Sequence, residues 1–212
     1  MNQPTIIGNA TLYNMDCMEY MATTSDRYFD LAIVDPPYGI GGGSNSKKMN
    51  VTWDKKIPTK NYFNQLIRLS KNQIIWGGNY MSINIPFNSK HSIIWDKQNG
   101  ESFMSDGEIA FTSFDKQTTK LFRLFWMSNM MNKSEKPLIH PTQKPIKLYE
   151  WILTNYAKQG DKILDTHLGS GSSAIAANNL GFEFVGMELD KDYFEASIIR
   201  ITKANQQIRM FA

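Results

Sequence analysis

The chain has 212 residues, with 23 Lys and Arg against 20 Asp and Glu, 42% hydrophobic residues and a single cysteine. That length supports one α/β core, a single domain over 1–212, and no Pro-, Ser- or Gln-rich tract marks a disordered arm. Cys17 alone excludes an intramolecular disulfide, no apolar run approaches the ~20 residues that span a bilayer, and the first residues lack a secretory leader. A reducing, cytoplasmic setting with no membrane partner is expected, and the net charge of +3 permits a polyanionic partner without requiring one.

In chain order, the short segment 10–13 runs into Asn14, Met15, Asp16 and Cys17. Residues 29–34 form an apolar, β-branched strand that ends in Asp35-Pro36-Pro37-Tyr38. The following stretch, 39–58, has no structural period, and a loop of about 20 residues in a compact domain is a functional lid or a disordered segment. A mobile loop over 39–60 is expected. It carries Lys47, Lys48, Lys55, Lys56 and Lys60 with Trp53 between them, and continues toward Arg68 and Lys71 with Asp54 as the one acid. Such a run is read either as a solvated face or as a nucleic-acid contact.

Further strands are expected at 73–76, 91–95, 108–114, 121–126, 162–164 and 182–187, and helices at 60–70, 146–157, 172–180 and 192–206. A second basic region, 115–137, contains Lys120, Arg123 and Lys133, with Met127, Met130 and Met131 as pliable filler. This alternation predicts an α/β, mainly parallel, doubly wound sheet whose ligands sit at the carboxyl ends of the strands.

Two motifs follow strands as that rule requires. Asp35-Pro36-Pro37-Tyr38 offers a carboxylate, a carbonyl fixed by two prolines, and an aromatic face. Acceptors that take both hydrogens of an exocyclic amine free its lone pair from the ring, and Asp35 and the Pro36 carbonyl suit those roles. Tyr38 suits stacking on a flipped-out base, which returns about 1–3 kcal/mol. Near the other end, KILDTHLGSGSS followed by GMELD has the form of a nucleotide-binding βαβ unit, with Asp165, Gly169 and Gly171 at the turn and Glu188 placed to accept from ribose hydroxyls. The same glycines match a dehydrogenase fingerprint, but only about 40 residues follow, too few for the rest of a dinucleotide domain.

Taken together, LYNMDCMEYM, VDPPYG, HPTQKP, LDTHLGSGSS and GMELD resemble the β-class DNA amino-methyltransferases of the DPPY type, the adenine-N6 and cytosine-N4 family in which the catalytic motif precedes the cofactor motif. The resemblance covers almost the whole chain. It implies a Rossmann-like, S-adenosylmethionine-dependent fold with seven mostly parallel strands, one reversed, helices on both faces and a circularly permuted motif order. It implies that Asp165, His167, Gly169, Gly171 and Ser172 border the methionine part of S-adenosylmethionine, that Glu188 binds its ribose, and that Asp16 and Cys17 meet its adenine. Thr142, Gln143 and Lys144 would lie near the methionine carboxylate, beside a helix N-terminus that favours an anion. Asp35, Pro36, Pro37 and Tyr38 would form the base pocket, with Asp35 also touching the cofactor. The family commonly has Asp-Pro-Phe before the glycine turn, where this chain has Asp165-Thr166-His167.

The reaction expected is in-line methyl transfer to the N6 amine of a flipped adenine in double-stranded DNA, in a prokaryotic or phage setting such as restriction-modification. Asp35 favours adenine, since relatives that act on cytosine more often carry Ser there; cytosine-N4 methylation and a catalytically silent DNA-binding partner subunit are the alternatives. Cys17 has no evident activating partner in the sequence, and His91, His140 and His167 are scattered with no Cys/His pairing at ligand spacing, so neither thiol nor metal chemistry is expected. Lys47, Lys48, Trp53, Lys55, Lys56, Lys60, Lys120, Arg123 and Lys133 are the candidates for DNA contact. Relatives often dimerise, and a homodimer would enlarge the DNA surface.

Overall fold

Short, mostly apolar stretches flanked by turn residues set up the sheet, and the computed structural model describes residues 3–41, 53–100, 105–116, 118–126 and 135–211, with side chains as far as 207. The strands are β1 (Thr5–Ile7), β2 (Ala10–Asn14), β3 (Phe29–Val34), β4 (Ser70–Trp76), β5 (His91–Asp96), β6 (Gly107–Thr112), β7 (Lys120–Arg123), β8 (Lys162–Asp165) and β9 (Glu183–Glu188). The helices are α1 (Cys17–Thr23), α2 (Lys60–Leu69), α3 (Ile146–Tyr156), α4 (Ser172–Leu180) and α5 (Lys191–Phe211).

All described strands join one sheet in the order β1-β2-β9-β8-β3-β4-β6-β5-β7. β2, β9, β8, β3 and β4 run parallel, β6 is antiparallel to both β4 and β5, β7 is parallel to β5, and β1 is antiparallel to β2. The expectation of seven strands with one reversed is therefore corrected to nine with two reversed, β1 and β6. Seven of the nine are those read from the sequence; the other two make an N-terminal hairpin of three and five residues turning at Gly8, whose φ is +60°. Both lie at the sheet margin and lack the continuous apolar run that marks the inner strands.

The strand period of two divides the core between the two faces. Leu31 and Ile33 of β3, with Ile74 and Trp76 of β4, pack beneath Leu148 and Ile152 of α3 and the Ala174–Ala177 segment of α4. Ala32, Val34 and Ile75 face the other way, against Tyr62, Phe63, Leu66 and Leu69, the apolar stripe of α2. β3 crosses through α2 to β4 on one side, while β8 crosses through α4 to β9 on the other. The crevice between those crossovers is where such a sheet binds ligands, and the carboxyl ends of β2, β3, β8 and β9 all open onto it.

Candidate active site

A cleft of about 1100 Å³ lies along those strand ends. It brings together Asp16 and Cys17 after β2, Asp35, Pro36, Pro37 and Tyr38 after β3, Thr142, Gln143 and Lys144 before α3, His167 and Gly169 after β8, and Glu188 at the end of β9. Asp165, Gly171 and Ser172 are not among its lining residues. Gly171 adopts φ +76° as the N-cap of α4, and an added Cβ would lie 2.7 Å from Ile201 of α5; the glycine is needed for helix packing. The Ser172 hydroxyl instead accepts from Arg200 at 2.8 Å, behind the cleft wall.

The β8–α4 turn is fastened by carboxylates. Asp165, fully buried, accepts from the His167 N–H at 3.0 Å and the Ser173 hydroxyl at 2.6 Å. Burial pushes its carboxyl up to about 7, against those two hydrogen bonds. Glu188 accepts from the Gly169 N–H at 2.9 Å and the Asp190 N–H at 3.0 Å, which aims it across the cleft mouth with lone pairs to spare. Asp16 caps α1 through the Met18 N–H, and burial, reinforced by the Asp16 charge, pushes the Cys17 thiol up to about 12. Cys17 is thus held as a neutral thiol.

The departure at Thr166-His167 is accommodated by a partner from α2. Tyr62 and Thr166 share a 2.6 Å hydrogen bond, and Thr166 in turn meets His167 Nδ1 at 2.9 Å. Burial lowers His167 to about 4, so the ring is neutral. Its Nδ1 is partnered within the wall, and the ring lines the cleft.

On the opposite side, Lys144 is almost wholly buried and its ammonium bonds Asp35 Oδ2 and lies 3.0 Å from Glu108 of β6. Expected beside the methionine carboxylate, it is engaged by two side-chain carboxylates instead. Asp35 Oδ1 accepts from the Tyr38 hydroxyl at 2.6 Å. Burial drives the Asp35 carboxyl up even against Lys144, with Glu108 adding to the rise. Burial would raise Glu108 too, but Lys144 and Lys97 outweigh it and hold Glu108 at about 2. Gln143 is structural: its amide donates to the Glu135 carbonyl at 2.8 Å and accepts from the Ile139 N–H at 3.2 Å.

Tyr38 stacks on Tyr80 at 5.2 Å and lies so close to Gly77 that a Cβ there would fall 2.2 Å from the ring. Trp53, expected on the DNA side, stacks on His140 at 5.2 Å in the cleft wall, with Tyr193 edge-on to the same imidazole. Lys55, Lys56, Lys60, Lys120 and Arg123 are exposed, the last two on β7 at the sheet edge. Lys47, Lys48, Lys133, Met127, Met130 and Met131 lie outside the described residues. Sequence reading missed Glu108, Lys97, Gly77 and Tyr62; an acid in an otherwise apolar strand was the one signal for Glu108. Among the described residues no cluster of three His, Cys, Asp or Glu could hold a metal ion, and no helix is long and apolar enough to cross a membrane.

Fold and cleft together define a Rossmann-like α/β arrangement with its cleft at the strand ends, and solved structures share that fold. Residues 95–199 match the family of N6/N4 methyltransferases described as DNA methylase. The type II methyltransferase M2.LlaDCHI of Lactococcus lactis subsp. cremoris is 28% identical over 92% of this chain and 90% of its own length. Among solved structures, the M1.HpyAVI–SAM complex superposes with a TM-score of 0.61 at 22% identity, over 91% of this chain and 98% of that one. The cytosine-N4-specific PvuII DNA methyltransferase gives 0.65 at 13% identity, over 95% and 93%. The chain is thus similar to the N6/N4 amino-methyltransferases over most of its length, and the match to the family itself spans residues 95–199.

Proposed function

We propose that this protein transfers the methyl group of S-adenosylmethionine to the N6 amine of adenine in duplex DNA. The observation that carries the reading is the single cleft joining Asp35-Pro36-Pro37-Tyr38 to the Gly169 turn and Glu188. The donor set suits the cofactor. Asp16, Glu188 and Asp190 line the cleft, while its lysines, Lys97 and Lys144, are each paired with carboxylates, which leaves acceptors for a cationic ligand with ribose hydroxyls. When bound, S-adenosylmethionine supplies a methyl group made electrophilic by its sulfonium. Glu188 would hold the ribose, Asp16 and Cys17 the adenine edge, and the Gly169 turn the methionine portion.

The chain's own residues then act on the base. Asp35 and the Pro36 carbonyl accept the two amine hydrogens, which turns the nitrogen lone pair out of the ring, and Asp35 takes the proton that the amine sheds. A carboxyl raised by burial is a better proton acceptor than an ordinary aspartate. Tyr38 holds the flipped base, and Lys55, Lys56, Lys60, Lys120 and Arg123 meet backbone phosphates.

The test is incubation with labelled S-adenosylmethionine and unmethylated duplex DNA, followed by digestion to nucleosides. Label is expected in N6-methyladenine and is expected to fall about 10²–10³-fold in Asp35→Ala. Label in N4-methylcytosine would keep the chemistry and overturn the choice of base. No label in DNA from the wild type would overturn the proposal.

A further inference from the structure

Sheet order sets four ionised side chains in a row. Lys97 follows β5, Glu108 stands on β6 opposite Trp95, Lys144 precedes α3, and Asp35 follows β3. Lys97 Nζ meets Glu108 Oε1 at 2.6 Å, Lys144 Nζ lies 3.0 Å from Glu108 Oε2, and Lys144 also bonds Asp35. The side chains of Lys97, Glu108, Lys144 and Asp35 are 11, 23, 3 and 15% exposed, so the row is largely withdrawn from water. Two ammonium groups and two carboxylates sum to zero, which makes such burial tolerable where an isolated charge would not be.

Lys144 paired with Asp35 alone would take up both the charge and a lone pair of the acceptor. Glu108 competes for that ammonium from the other side. When Asp35 receives the amine proton and becomes neutral, the N–H bond breaks, the O–H bond forms, and Lys144 still has Glu108 as its counter-charge. We infer that Glu108 is a positioning residue for methyl transfer, acting on Asp35 through Lys144, with Lys97 as its outer counter-ion. The inference rests on the proposed role of Asp35 as proton acceptor.

Other titratable groups facing Asp35 are Tyr38 beside it, Tyr62 of α2, Tyr149 of α3 and Asp165 at the end of β8. Burial holds the three tyrosines neutral, and Asp165 is present in every variant below. Changes in the row therefore report on the row.

The test pairs two variants of opposite charge change, Glu108→Gln and Lys97→Gln, read by the pH profile of single-turnover methyl transfer. Removing the Glu108 charge should move the acid limb down by about half to one pH unit and removing Lys97 should move it up, with rates lowered about tenfold and cofactor affinity kept within about twofold. Both limbs unmoved, or both moving the same way, would overturn the inference, because damage to the fold does not follow the sign of the charge removed. An independent arm follows Lys144 by NMR of ¹³C-labelled lysines: its ammonium should titrate at least about one unit lower in Glu108→Gln. If wild type transfers no methyl to DNA, the functional proposal falls, and the Lys144 titration alone decides whether Glu108 controls that ammonium. An unshifted Lys144 would overturn the inference.

Discussion

The side of the cleft proposed to hold the cofactor is assembled largely within one stretch of chain, residues 162–190, whereas the side proposed to hold the base draws on four separated segments. Asp165 and Glu188 hold the first side by accepting from the backbone N–H groups of His167, Gly169 and Asp190, all within the same β8–α4–β9 stretch. Asp35, Lys97, Glu108 and Lys144 hold the second by side-chain charge across β3, β5, β6 and the entry to α3. Local backbone fastening gives a rigid wall whose form depends little on distant residues; a charge row spanning four segments gives an acceptor whose properties any of them can retune. The sides also differ in balance, anionic at Asp16, Glu188 and Asp190 and neutral in sum along the lysine–carboxylate row.

That contrast can be strained at several points. On the anionic side the Cys17 thiol, pushed up to about 12, should react with a thiol reagent at pH 8 about 10³-fold more slowly than an unfolded thiol. Reaction at the free-thiol rate in folded protein would show that burial and Asp16 do not control this wall. On the base side Gly77→Ala, at φ +65° and against the Tyr38 ring, should cost about 1–3 kcal/mol in a denaturant titration and depress methyl transfer more than cofactor binding. An equal loss of both would mean that Tyr38 supports the whole cleft.

His140 and His167 are both lowered to about 4, chiefly by burial. Unfolded histidines titrate near 6.5, so between those values the unfolded chain binds more protons than the native one. Stability from these groups is full above pH 6.5 and is lost as pH falls toward 4. His167→Phe should flatten that decline when unfolding midpoints are followed across the window; an unchanged slope would place the acid sensitivity elsewhere. The smallest effect is expected at the sheet edge, where Lys120→Ala should reduce the salt slope of DNA binding by about one and leave turnover at saturating DNA alone.

The same contrast explains how much could be read from the sequence. The glycine turn and Glu188 are contiguous, so spacing alone revealed them, and Asp35-Pro36-Pro37-Tyr38 announced itself by following an apolar strand. Gly171 showed as part of that turn, yet its requirement comes from Ile201, thirty residues on and visible only once α5 packs. Lys144 was legible as a member of HPTQKP but its partners were not, because Glu108 reaches it through the placement of β6 between β4 and β5. Helix α1 escaped notice because seven residues carry less than two turns of period, and its cap, Asp16, reads equally well as a ligand. Trp53 sat within a basic run, and nothing local distinguishes a ring facing DNA from one stacked on His140.

The division of the cleft is tested most directly by measuring S-adenosylmethionine affinity and methyl transfer side by side in Asp35→Asn and Glu188→Gln. The account predicts that Asp35→Asn binds cofactor as wild type does but transfers almost nothing, while Glu188→Gln binds about tenfold more weakly and recovers much of its turnover at saturating cofactor. Loss of cofactor binding in Asp35→Asn, or undiminished affinity in Glu188→Gln, would contradict it.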